Sequence, residues 1–398
     1  MTQLDHRGIV EVSDGGVSVE LRGESMTLNI GPQHPSTHGV LRLVAQVDGE
    51  RITKLDPNIG YMHRGYEKLT EVRTYAQIMA LINRIDWVSG FANEVAFVRA
   101  VEKLMGIEPT ERAQMIRLIL TELTRISNHL LFASSFPLEL GAFTPLMYAM
   151  RDREYVLDLL ESVTGGRFHP NFNRVGGIKP AAGGGKTQKN VSLDLPAGFY
   201  AAVESAMDRI ERSCEELDEL VTGNEMIQMR TKGVGIISYE DAIAFGVSGP
   251  NARGSGVPID LRKVEHDLLP YDGLDFDVIT QDGCDAFSRY LVRIGEIRES
   301  VKIVRQAIHS VPAGPLVAKV PRVLKVPAGR VYVRAENPKG EMGYYVVSQG
   351  GRIPYRVKIR TGSFSNISVM SKVAVGLLIP DLVASMGSLD FVLGDVDR

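Results

Sequence analysis

The chain alternates between two hydrophobic periods. Near the front, residues 26 to 30 (MTLNI), 40 to 47 (VLRLVAQV) and 51 to 55 (RITKL) are short alternating or apolar runs. That pattern predicts strands with one buried face. Asp48-Gly49-Glu50 separates the last two and predicts a hairpin. The segment from Gly31 to Gly39 (GPQHPSTHG) joins the first two, and its glycines and prolines predict a loop rather than a helix. From Arg73 to about Ser310 the period lengthens. Residues 111 to 133, 198 to 221 and 285 to 309 place apolar groups at three- and four-residue steps, which predicts long helices. Pro109 and Thr110 stand at the start of the first, where helix start signals belong. Helices of this kind bury one stripe against each other, so a bundle is expected. Gly-rich stretches at 176 to 185 and 246 to 256 interrupt it. Residues 330 to 335, 343 to 348 and 354 to 360 again read as strands, and a short helix begins near Pro380. The expected fold class is α+β, mainly α. It has an N-terminal antiparallel sheet region (1–72), a helical bundle core (73–325) and a small C-terminal mixed segment (326–398).

Composition narrows the function. The chain has 398 residues, 44% of them hydrophobic, which is ample for a large buried core. A net charge of −3 argues against a nucleic-acid binder. The opening MTQLDHRGIVEV lacks the apolar core of a secretory signal. The charge-free run from Ile126 to Leu138 holds Asn128 and His129 and is 13 residues long, whereas a spanning helix takes roughly 20 apolar residues. A membrane role is therefore expected to be peripheral. Cys214 and Cys284 are 70 positions apart and form no metal-ligand spacing, so they read as reduced structural thiols. An iron–sulfur cluster takes about four thiolates, so none is held by this chain's cysteines alone. GGGKT at 183 to 187 is not a phosphate loop, because the first glycine of that pattern falls on Pro180.

The loop from Gly31 to Gly39 carries more chemistry. It presents His34 and His38 on a chain pinned by prolines. Imidazoles held this way can donate protons or orient a polar ligand, or can hydrogen-bond within the turn as structural groups.

GPQHPSTHGVLRL resembles the loop of the quinone-site subunit of respiratory complex I, the 49-kDa type. The resemblance continues through GYMHRGYEKL (60–69), NEVAFVRAVEKLMG (93–106), LGAFTP (140–145) and FHPNFNRVGG (168–177). It extends further through GPNARGSG (249–256), RYLVRIGEIRES (289–300), NPKGEMGYYVVSQGG (337–351) and GSLDFVLGDVDR (387–398). That family is related to the nickel–iron hydrogenase large subunit, whose metals are held by R-x-C-x-x-C and D-P-C-x-x-C-x-x-H motifs. Here Asp86 and Ser89 stand at the first pair of cysteine positions, and Val392 and Asp395 at the second. Nickel and iron there need soft thiolates, so no metal and no hydrogenase activity are expected.

The resemblance implies an enzyme subunit of NADH-quinone oxidoreductase, on the cytoplasmic side of the membrane. It implies a small iron–sulfur partner subunit, further peripheral-arm subunits and a membrane arm. Electrons would pass from the partner's terminal cluster to ubiquinone or menaquinone in a cavity between the two. His34 and His38 lie on the quinone-site loop, with His38 bonding one quinone carbonyl. The second headgroup contact in the family is a tyrosine, where this chain has Trp87. Indole donates a hydrogen bond but cannot release a proton as a phenol does, so either Trp87 only donates or the second contact is made differently. Glu139 matches an aspartate that the family places beside the loop histidine. Arg84 and His169 match residues near the partner's cluster. Arg84 could instead be a buried ion pair with Asp86, Asp390 or Asp395, and the last two could be structural carboxylates. The alternative function is a structural subunit of a related redox complex with a degenerate quinone site.

Overall fold

The computed structural model describes residues 11–14, 17–22, 25–34, 37, 39–179 and 195–398. The front is a five-stranded antiparallel meander formed by Glu11–Asp14, Val17–Arg22, Ser25–Ile30, Arg42–Asp48 and Arg51–Asn58. The last three match the expected strands. The hairpin at Gly49-Glu50 pairs Asp48 with Arg51, and Gly49 takes the left-handed conformation (φ 59°) that such a two-residue turn demands. The first two strands were not among those expected. At four and six residues their alternation is short; Val17–Arg22 pairs in register with Ser25–Ile30, and Glu11–Asp14 pairs in turn with Val17–Arg22.

The bundle core is built on Gly90–Met105, Glu111–Glu139, Thr144–Thr164, Phe199–Leu217 and Ala286–His309. Thr110 caps Glu111–Glu139 by accepting from the Ala113 amide, as its position before the apolar run predicted. This helix runs six residues past the expected end at 133, through Pro137 in its last turn. The Pro137 carbonyl then accepts from the Leu140 and Ala142 amides, closing the C-terminus. The helix from Phe199 stops at Leu217 and continues to Thr222 only as a wide π-turn. Asp285 caps the last long helix through the Ser288 amide. The Gly-rich stretch after 246 contains one helical turn, Pro250–Arg253, while the GGGKT loop lies outside the described residues.

The three expected C-terminal strands form one antiparallel sheet, with Gly340–Gly351 between Val326–Asn337 and Arg356–Arg360. The helix near Pro380 spans Ile379–Gly387. One apolar core joins the long helices to this sheet. A second, under the N-terminal sheet, includes Phe391, Leu393 and Val396, so the end of the chain folds back across the molecule.

Candidate functional site

The site is organised by the turn between the helices Tyr75–Ile82 and Gly90–Met105. Asp86 forms an Asx-type turn there, accepting from the Val88 and Ser89 amides at 3.1 and 3.3 Å. Gly90 is required, because a Cβ would sit 2.7 Å from the Asn83 carbonyl oxygen. The buried Glu94 ties the turn to a distant segment. It accepts from Asn83 Nδ2 at 2.9 Å and from the Phe172 and Asn173 amides at 2.9 and 3.0 Å. That clamp brings the FHPNFN stretch alongside residues 83 to 90.

Two pairs result, one of them joining Arg84 and His169, which were expected near a partner's cluster. Trp87 lies beside Phe168, ring centroids 6.4 Å apart, and the two remain 41% and 44% exposed. Arg84 stands beside His169. Partial burial and the Arg84 charge push the His169 imidazole below its ordinary value, against the opposing effect of a hydrogen bond to the Asn83 backbone. Arg84 is exposed and donates to Ala80 O at 2.8 Å and Asn83 Oδ1 at 2.7 Å, which corrects the suggestion of a buried ion pair with Asp86, Asp390 or Asp395.

The other expected residues lie on separate elements. Glu139 ends the long helix and packs on Gly387, where a Cβ would overlap its carboxylate. The carbonyl of His34 accepts from the Thr37 amide at 3.1 Å and the Thr37 hydroxyl at 2.9 Å. His38 lies outside the described residues.

Asp86, Ser89, Val392 and Asp395, the four residues set against hydrogenase cysteines by resemblance, are all buried. The segment 390–398 reaches the turn so closely that a Cβ on Gly394 would sit 2.7 Å from the Ile85 carbonyl oxygen. Burial and the neighbouring Asp390 raise Asp86, against the Lys339 ammonium and local hydrogen bonds. Burial and then the Asp86 charge push Asp395 up to about 7, although the Ser363 amide donates to its Oδ2 at 2.9 Å. Asp390 is in the left-handed region (φ 52°), which aspartate tolerates better than most residues. Its carboxylate meets Lys339 Nζ at 2.9 Å and Arg293 Nε at 3.7 Å. Lys339 also donates to Asn128 Oδ1 at 3.1 Å.

Known proteins match this chain over nearly its whole length. The family model described as the respiratory-chain NADH dehydrogenase 49 Kd subunit matches residues 139–325 and 319–398. The second NADH-quinone oxidoreductase D-type chain of Salinispora tropica is 47% identical over 385 residues, covering 96% of both chains. The corresponding NADH-quinone oxidoreductase chain of Clostridium beijerinckii is 47% identical over 379 residues, 95% of this chain and 99% of its own. The second such chain of Rhizobium meliloti is 43% identical over 404 residues, 95% and 96% of the two chains. The chain belongs to the 49 kDa complex I subunit family.

For a member of this family, the instructive residue is one that sequence reasoning passed over. Lys339 sits inside the NPKGEMGYYVV match, yet its role is invisible there because its partners Asn128 and Asp390 are 211 and 51 positions away. Arg293 and Tyr344 were missed for the same reason. Only the buried carboxylates, odd at positions that would be apolar in a plain core, were a usable signal. Among the described residues, no helix is long and apolar enough to cross a membrane.

Proposed function

We propose that this chain is the quinone-site subunit of a proton-translocating NADH-quinone oxidoreductase, on the cytoplasmic face of the membrane. In that role it carries electrons from the terminal iron–sulfur cluster of a small partner subunit to ubiquinone or menaquinone. The observation that supports it most is the grouping of Trp87, Phe168, Arg84 and His169 on one surface, directly outside the buried carboxylates Asp86 and Asp395. An exposed indole and phenyl ring are the kind of surface a partner covers. The cavity beside them, lined by Val88, Gly90, Phe91 and Phe168, is only ≈ 20 Å³, enough for about one water molecule. A headgroup chamber at this place is completed by the partner's wall.

The division of labour follows from the groups present. His38 hydrogen-bonds one quinone carbonyl, with His34 on the same loop. Trp87 offers an N–H donor and no transferable proton, so protons for the quinol come from other groups. Glu139 takes the place of the aspartate that the family sets beside the loop histidine. Arg84 and His169, facing the partner's cluster, favour its reduced state through positive charge and proton uptake.

His38→Ala is expected to suppress quinone reduction in the assembled complex while NADH still reduces the clusters. Unaltered quinone reduction would remove the headgroup assignment. Trp87→Tyr is expected to sustain or raise turnover. Loss of quinone reduction with normal assembly would show that Trp87 does something a phenol cannot.

A further inference from the structure

Three carboxylates, Asp86, Asp390 and Asp395, share one buried neighbourhood with two cations, Lys339 and Arg293. Asp390 engages both cations directly, Lys339 at 2.9 Å and Arg293 at 3.7 Å. Arg293 is otherwise held by neutral groups, donating to the Ser388 carbonyl at 2.9 Å and Asn251 Oδ1 at 3.0 Å. Asp86 and Asp395 are held by neutral donors, Val88 and Ser89 for one and Ser363 for the other. Two ionised carboxylates in one dry site with no cation in contact with either are strongly disfavoured, so the site resolves the excess by binding a proton.

The other groups facing the pair point the same way. Tyr344 is fully buried and its hydroxyl has no hydrogen-bond partner among the described residues. Burial and then the charges of Asp395, Asp86 and Glu94 oppose its ionisation, so it stays a neutral donor. Glu94 is also buried and lacks a paired cation, and its carboxylate is occupied by Asn83, Phe172 and Asn173. Asp395 Oδ1 has no hydrogen-bond partner among the described residues. The exposed Arg84 spends its donors on Ala80 and Asn83. Asp86 precedes Trp87 in the chain, so the pair lies one residue behind the surface that faces the quinone.

We infer that Asp86 and Asp395 jointly hold one exchangeable proton and release it toward the quinone when that quinone is reduced. This rests on the quinone-site function proposed above. Two electrons arrive from the partner's iron–sulfur cluster and two protons are needed to form quinol. The carboxyl pair gives up one and becomes a dicarboxylate, the second proton comes from solvent water, and a further solvent proton later restores the pair. The pair acts as a proton store and is not itself in contact with the substrate. Because either carboxylate can carry the proton, the pair behaves as one titrating unit.

The test is an acid-minus-alkaline infrared difference spectrum of the assembled complex, taken across neutrality, with quinone reductase pH profiles alongside. The wild type is expected to show a protonated-carboxyl band titrating near neutrality. Asp395→Asn and Asp86→Asn should each abolish that band, because the carboxyl that remains no longer faces the charge of its partner. Each should also lower turnover and shift the pH profile, whereas a merely structural role would leave the profile's shape unchanged. A band that survives in both variants overturns the inference. So does its absence from the wild type, which needs no variant to assemble. The infrared result does not depend on catalysis, so a complex that shows the band but reduces no quinone fails the function and not the protonation.

Discussion

Two buried charge clusters in this molecule behave in opposite ways. One lies between the long helices, where Arg253 meets Glu296 at 2.7 Å and Glu336 at 2.8 Å. There Arg262 meets Asp260 at 2.7 Å and Glu122 at 3.2 Å, and Arg125 meets Glu122 at 3.2 Å. The other is the Asp86–Asp395 neighbourhood. Both are dry. In the first, burial opposes ionisation of Glu296, Asp260 and Glu122, but the guanidiniums outweigh it and hold all three below the ordinary carboxylate range. In the second, burial wins and both aspartates rise. The difference lies in cation supply, because the depth of burial is the same. The first cluster even contains its own control. Its fourth carboxylate, Glu336, exceeds the number of arginines and is raised by burial despite Arg253. His129 completes that cluster at 3.0 Å from Glu296, and burial lowers its pKa despite that carboxylate.

This contrast can be broken most sharply at Glu296. Glu296→Gln leaves the fully buried Arg253 without its nearest carboxylate, and removing one partner of a buried pair costs about 3–5 kcal/mol. Thermal unfolding or yield of the assembled complex should register it, and a loss below about 1 kcal/mol would mean that the network does not depend on paired charge. Lys339→Met should cost less, about 1–3 kcal/mol, as Asp390 and Asn128 lose their donor. It should also move the carboxyl titration to higher pH, because a nearby positive charge that favours the ionised form is gone. An unmoved titration would detach Lys339 from the pair.

Per pH unit, a smaller effect is expected from Asp395→Asn on the pH dependence of stability. A carboxyl raised from 3.8 to about 7 by folding stabilises the protein fully at pH below 3.8 and loses that contribution as pH rises through about 7. The wild type should therefore lose stability relative to the variant over that window, by at most about 1.4 kcal/mol per pH unit. Parallel curves would show that Asp395 is ionised throughout. The smallest effect belongs to the surface. Lys54 and Asp56 meet at 2.6 Å but are 58% and 53% exposed, so Lys54→Ala should change stability by about 1 kcal/mol or less in the same unfolding measurement.

Much of the fold was legible because its elements are long and periodic. The helices expected from 111, 198 and 285 begin within a residue of those positions, the first behind the expected Thr110 cap. The C-terminal strands were legible from their glycines. The ends were less so. The extension to Glu139 runs through Pro137, a residue that reads as a helix breaker, and closes on its own carbonyl, which accepts from the Leu140 and Ala142 amides.

For the site, sequence alone determined that Asp86, Ser89, Trp87, Val392 and Asp395 hold their places in the chain, and that Arg84 and His169 lie within stretches resembling those of the family. Those are facts of identity and order along the chain. Tertiary structure decided that Arg84 is exposed, that Lys339 and Arg293 serve Asp390, and that Asp86 and Asp395 feel each other's charge with no ion pair to either among the described residues. The physical reason is that a carboxyl's proton affinity depends on its distance to charge and water. Here the charges that count come from segments more than fifty residues apart, as Lys339 and Asp390 are.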